Sequence, residues 1–221
     1  MNNDKHEFHR RSIRVRGYDY SEGGPYFITV CATARKSIFG EILDGQVNLK
    51  PWGKVVLACW QEIPDHFPQV ELDEFVVMPN HVHGIVTIAG RHGRGMACHA
   101  PTTGVGEFGK PKAGSLPTII GAFKSATTKR IHQLFKSPDT AIWQRNYYEH
   151  IIRDEKSLNR IREYLHYNPL RWALDRENPD RQGEDEFDRW LDSYKNLPER
   201  NGTFFKGRGM TGHALTEDEG D

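Results

Sequence analysis

The chain has no long hydrophobic run. Its 221 residues are 37% hydrophobic and 27% charged, and no stretch approaches the ~20 apolar residues that cross a bilayer. A membrane is therefore excluded as a partner. Cysteine is scarce: Cys31, Cys59 and Cys98 are an odd number, and none sits in a CxxC pair. That leaves out a disulfide framework and a zinc cluster of the thiolate type. The opening residues, Met1 to Lys5, carry no apolar signal core, so the expected location is the cytoplasm. No internal repeat is visible. Net charge is missing too, with 30 basic and 30 acidic residues. A neutral total argues against a polyanionic partner, but the distribution argues for one. Residues 91–136 hold eight Lys or Arg and one acid, Glu107, whereas residues 175–221 hold seven basic and thirteen acidic residues. To a phosphate polymer a local basic patch matters more than the total.

What is present divides into short periodic segments. Residues 1–20 form a polar, basic arm carrying Arg10, Arg14 and Arg16. Tyr26–Ala34 is rich in β-branched and aromatic residues and reads as a strand. Ile38–Leu43 and Gln46–Leu49 flank Asp44-Gly45, a hairpin turn signal. Trp52, Val55, Val56, Cys59, Trp60 and Ile63 recur at helical spacing, and Pro64 ends that helix. Val70–Met78 and His81–Ile88 read as two more strands. Residues 89–116 are glycine-rich and aperiodic, a mobile loop. Ser115 and Pro117 then open a helix with Ile120, Phe123, Thr127, Ile131 and Leu134 along one face. Ile142–Ile152 reads as a strand, Asp154 as the N-cap of a helix over 155–167, and Asn168-Pro169 as its stop. This alternation predicts an α+β fold with helices packed on one antiparallel sheet. Beyond Leu174 the pattern weakens. Trp190, Leu191, Tyr194, Phe204 and Phe205 are candidates to pack back, and residues 206–221 are expected to be disordered. The division is thus an arm (1–20), a domain (21–175) and an acidic, partly disordered extension (176–221).

Two constellations carry chemistry. In Met78-Pro79-Asn80-His81-Val82-His83-Gly84 the two histidines stand one residue apart on a strand, so they share a face and can meet one metal ion. The plain alternative is a pair of polar residues on a strand surface. Far downstream, Tyr164 and Asn168 are one helical turn apart, about 6 Å between Cβ atoms. Alone, they read as a core aromatic and a C-terminal cap. Together with the histidines they read as a reaction centre. A phenol, with a reference pKa of about 10, is a poor nucleophile at neutral pH. A divalent ion held by two imidazoles and an amide oxygen would polarise a phosphate and stabilise the phenolate. The helix would set the hydroxyl for in-line attack.

These motifs resemble the single-tyrosine HUH transposases, and among them the REP-associated tyrosine transposases, over roughly residues 10–175. His81-Val82-His83 matches the histidine–hydrophobic–histidine motif, and Tyr164-Leu165-His166-Tyr167-Asn168-Pro169 the tyrosine helix. Gly114–Ile120, Phe123–Ala126 and Trp143–His150 also match. The resemblance implies a ferredoxin-like, RRM-like sheet and a transposase that cuts and rejoins single-stranded DNA. The expected substrates are hairpin-bearing ends such as repetitive extragenic palindromes, joined through a 5′-phosphotyrosine with Mg²⁺ or Mn²⁺. It makes Tyr164 the nucleophile and His81 and His83 the metal ligands. Asn168 takes the third ligand place, where many relatives carry glutamine, and His166 is the fallback. Lys124, Lys129, Arg130, Arg145 and the arm's Arg10, Arg14 and Arg16 are candidate DNA contacts. A monomer is favoured, a homodimer possible. A phosphodiesterase that uses water and a binding module without chemistry remain open alternatives.

Overall fold

The structure is a computed structural model and describes residues 23–89 and 112–195. The basic arm with Arg10, Arg14 and Arg16, most of the glycine-rich loop and the end of the acidic extension lie outside the described residues.

Strand β1 (Gly24–Cys31) alternates Tyr26, Ile28 and Val30 on one face with Phe27 and Thr29 on the other, and all five are buried. A strand buried on both faces needs cover on both, and the rest of the fold supplies it. A hairpin follows, β2 (Gly40–Leu43) and β3 (Gln46–Leu49), turned by Asp44 and Gly45, both at positive φ. That is the backbone of a type I′ turn, which the Asp-Gly pair favours. Helix α1 (Pro51–Gln61) buries Val55, Val56, Cys59 and Trp60. It ends before Pro64, which sits inside a further short turn, α2 (Ile63–His66). Proline opens this turn rather than closing α1, because its missing N–H costs nothing in a first turn.

Strands β4 (Val70–Val77) and β5 (His81–Ile88) follow, then α3 (Leu116–Phe135), β6 (Tyr148–Ile151), α4 (Glu155–Tyr167) and α5 (Glu186–Lys195). The sheet runs β4-β5-β1-β6, with every neighbouring pair antiparallel. A β-α-β-β-α-β thread through such a sheet is the ferredoxin-like arrangement. The α+β architecture is as the sequence pattern predicts. One face carries α1 and α3 over Ile28, Val30, Val82 and Val86. The other carries α4 and α5 over Phe27 and Ile85. Asp154 caps α4 by accepting from the Ser157 backbone N–H at 2.7 Å. The Arg162 guanidinium pins α4 to the sheet by a forked pair with Asp73 on β4, its Nε 2.9 Å from Oδ1.

The strand predicted over 142–152 is shorter than its composition suggests. Only Tyr148–Ile151 pairs with β1, and Trp143 makes an isolated bridge to Ala32. The reason is Lys124. Its ammonium donates to the carbonyls of Gln144, Arg145 and Asn146, at 2.5, 3.0 and 3.5 Å. Three successive carbonyls turned to one cation do not alternate in direction as those of a strand do.

Gly84 separates His83 from Ile85 on the crowded central strand. A Cβ there would meet the Trp60 ring at 2.5 Å and Phe75 Cβ at 2.9 Å. Gly84→Ala is expected to destabilise the fold by about 1–3 kcal/mol, as overpacking does. Denaturant unfolding at constant m measures this.

Candidate active site

Period two sets the first half of the site. His81 and His83 leave β5 on the α4 face, and both are buried, 0% and 2% exposed. Each is held at Nδ1. Asn80 Oδ1 lies 2.7 Å from His81 Nδ1, and Thr29 Oγ1 lies 2.8 Å from His83 Nδ1. An amide oxygen can only accept, so His81 carries its proton on Nδ1 and turns the Nε2 lone pair inward. Asn80 is itself fixed, its Nδ2 donating to the carbonyls of Arg35 and Glu177. Outer partners of this kind orient metal-binding imidazoles.

Helical period sets the second half. Tyr164 and Asn168 leave α4 on its buried face and converge on the same atom. Tyr164 donates from its hydroxyl to Asp175 Oδ2 at 3.2 Å, and Asn168 Nδ2 donates to that oxygen at 2.6 Å. The Tyr164 hydroxyl is also 3.2 Å from His83 Nε2. Asp175 Oδ2 lies 3.8 Å from His81 Nε2 and 3.6 Å from His83 Nε2, within Coulomb reach but beyond a good hydrogen bond.

The structure thus brings together Tyr164, His81, His83 and Asn168, and adds Asp175. One donor atom each from His81, His83 and Asp175 falls within 4.8 Å of the others, a buried group that could hold a metal ion. Two buried polar atoms beside it have no hydrogen-bond partner, His81 Nε2 and Asn168 Oδ1. Buried lone pairs left unsatisfied are costly, and a cation would satisfy both. His166, the fallback ligand, is exposed with its ring on Tyr167, away from this group. Asp175 escaped the sequence reading because it follows a 3-10 turn, Pro169–Leu174, where no helical period points to it. Its only signal was position, the first acid after the proline that stops the tyrosine helix.

Electrostatics follows from burial. His81 is held down to about 3, first by desolvation and then by His83. Burial disfavours the Asp175 anion, but the two imidazoles and the Asn168 amide outweigh it and hold the carboxyl well below the usual range. Tyr164 is pushed well above the phenol range by burial, then by Asp175 and Asp188. As folded, the phenol keeps its proton. It is also covered: the Phe187 ring of α5 lies on the Tyr164 ring at 3.7 Å and 7°. The cavity left between His83, Tyr164, Arg176 and Asp188 is about 50 Å³.

The described candidate DNA contacts differ in their surroundings. Arg130 is engaged in a two-pronged pair with Glu62, at 2.9 Å twice. Lys124 is half-buried on its three carbonyls, and Lys129 and Arg145 are exposed. No helix among the described residues is long and apolar enough to cross a membrane.

Fold and site define an α+β protein whose histidine pair, carboxylate, amide and tyrosine meet on one face of a four-stranded sheet. No family model matches the chain. An uncharacterized protein of Haemophilus influenzae is 44% identical over 170 residues, 76% of this chain and 92% of its own length, and the chain belongs to its family. The chain is also similar to proteins named as REP-associated tyrosine transposases, in line with the resemblance of its motifs. The H. influenzae protein named "Putative REP-associated tyrosine transposase" is 23% identical over 157 residues, 69% of this chain and 74% of its own. The solved structure of a REP-associated tyrosine transposase bound to a REP hairpin aligns over 91% of this chain and 99% of its own, with 18% identity and a TM-score of 0.49.

Burial gives the metal-free protein a distinct acid response. An unfolded imidazole binds its proton near pH 6.5, while folded His81 resists until about 3. The unfolded state takes the proton first, so stability falls as pH drops below about 6.5. Asp188, raised to about 6 mainly by burial, opposes this between about 6 and 4, where the folded state takes up the extra proton. Asp175, held low, adds a loss below about 4. In EDTA the Tm is therefore expected to fall most steeply below pH 4. Asp188→Asn should steepen the fall between pH 6 and 4.

Proposed function

We propose that the chain is a metal-dependent endonuclease and strand transferase for single-stranded, hairpin-bearing DNA, with Tyr164 as its nucleophile. One observation carries the reading. The Tyr164 hydroxyl stands within 3.2 Å of both His83 Nε2 and Asp175 Oδ2, beside two buried lone pairs that lack partners. His81 and His83 through Nε2, Asp175 through Oδ2 and Asn168 through Oδ1 would hold the ion, Mg²⁺ or Mn²⁺. When bound, the ion would act as a Lewis acid on the scissile phosphate and favour the phenolate.

The chain's own residues supply the rest. Helix α4 carries the Tyr164 oxygen, and Phe27 steadies its ring edge-on at 6.2 Å. Asp175 already accepts the phenol hydrogen bond and would take the phenol proton. The Tyr164 oxygen bonds to phosphorus, the bond from phosphorus to the 3′ oxygen breaks, and that oxygen leaves with a proton. The phosphodiester energy stays in the tyrosine linkage, so a second 3′ hydroxyl can reverse the step and join strands. A cavity of about 50 Å³ admits no nucleotide, so DNA reaches the hydroxyl once Phe187 and α5 withdraw.

The burial of Tyr164 favours one other reading, hydrolysis by water with the tyrosine structural. The two differ in one product. Labelled hairpin DNA incubated with Mn²⁺ or Mg²⁺ should give an SDS-resistant protein–DNA adduct, lost in EDTA and in Tyr164→Phe. Cleavage with no adduct would establish hydrolysis instead. An undiminished adduct in Tyr164→Phe would remove Tyr164 from the mechanism.

Asn80 provides a second check. Asn80→Ala frees the His81 ring to take the wrong tautomer. Mn²⁺ affinity by calorimetry is expected to fall about 10–100-fold, the usual effect of losing an outer partner. Adduct formation should return at high Mn²⁺.

A further inference from the structure

On the other side of the sheet from the tyrosine, α3 and residues 141–145 line an open, shallow groove of about 680 Å³. Lys124, Lys129, His132, Trp143 and Arg145 are among its walls, and no acidic residue lines it. Arg130, Arg162 and Arg176 are tied to acids, to Glu62, to Asp73, and to Asp188 and Asp192. Among the described residues neither Lys129 nor Arg145 has such a partner. Lys124 sits half-buried below them with three carbonyls and no carboxylate. A groove with three cations and no counterion suits an anionic polymer.

Its position says which polymer. The groove wall and the histidine strand belong to one end of one sheet. Gln144 N donates to the Cys31 carbonyl at 2.9 Å, and Cys31 is the register partner of His81. Two strand spacings separate Gln144 from His81, about 10 Å. Trp143 is clamped between Phe39 and Phe123, with ring centroids at 4.9 and 5.4 Å. It is a rigid wall rather than a free stacking platform. Such a groove grips phosphates and leaves bases unread.

We propose that this groove seats the backbone of the single-stranded DNA segment that runs from Tyr164 around the β6 edge of the sheet. Lys129 and Arg145 are its phosphate contacts. Lys124 is a positioning residue that shapes the wall and adds charge below it. The direction of the strand rests on Tyr164 being the nicking residue; the grip does not.

The test is binding by the full chain in EDTA, where no chemistry intervenes. The probes are a fluorescein-labelled single-stranded oligonucleotide and a blunt hairpin without an extension. Lys129→Gln/Arg145→Gln is expected to raise the Kd for the single strand tenfold or more. The slope of log K against log salt should become shallower by about 1.4, or 0.7 for each lost phosphate contact. Both side chains are exposed, and an unchanged Tm will show the fold intact. Wild-type affinity and slope in the double variant would overturn the proposal. So would an equal loss on the blunt hairpin, which would make the groove a duplex site. Competition by polyglutamate as strong as by the oligonucleotide would also overturn it. If the variant loses single-strand binding while the wild-type protein forms no covalent adduct, the groove stands and the nicking centre falls.

Discussion

One carboxylate oxygen, Oδ2 of Asp175, accepts from Tyr164 and from Asn168 and faces two imidazoles. Three chain segments meet at that atom: the central strand β5, the helix α4 and the turn that follows it. Asp175 is 1% exposed, and His81 beside it is held neutral by burial. Burying that anion is costly, and the imidazoles and the Asn168 amide around it more than offset the cost. The same arrangement explains why the phenol stays protonated and why two lone pairs are stranded. A divalent cation would change the sign of all three effects at once, since a bound ion is the largest charge in such a site.

The acidic segment after the tyrosine helix is part of this arrangement. Arg176, next to Asp175, pairs with Asp188 and Asp192, and Asp185 accepts from the Phe187 backbone N–H at the start of α5 at 2.7 Å. These contacts hold Phe187 against the Tyr164 ring. Phe187 and Leu191 complete the smaller of the two cores, so the described part of the extension packs with the domain. Covering the tyrosine and completing that core are one act of packing, and exposing the hydroxyl must cost the contacts of both.

Local rules carried much of the fold and half of the site. Period two put His81 and His83 on one face. Helical period put Tyr164 and Asn168 together, and Asp154 and Asp44-Gly45 behaved as cap and turn. What the sequence could not show was made by distant partners. Lys124 broke the strand after α3 by drawing carbonyls some twenty residues on. Asp175 reached the site from an irregular turn with no period to mark it. Arg130 looked like a free cation until Glu62, 68 residues away in the chain, was folded beside it. Each of these is a pairwise contact between segments, and a single sequence holds no record of which segments meet.

In the proposed reading, the two faces of the sheet would divide the labour that DNA cleavage requires. The face under α4 is dry, dipolar and closed, the condition in which electrostatic stabilisation is strongest. The other side offers a wide groove with unpaired cations, where binding is weak per contact, screened by salt and indifferent to sequence. A strand held there, as proposed, would lose much of its freedom before it reached the closed centre. The approach to Tyr164 would then be a local rearrangement at the sheet edge rather than a capture from solution, which is how remote binding lowers the barrier of a distant step. Cys31 is the point where both arrangements touch. Its carbonyl holds the groove wall, its thiol donates to Glu177, and its register partner is His81. A strand end that carries the wall on one side and His81 on the other keeps the two at a fixed spacing, which neither helix layer could do alone.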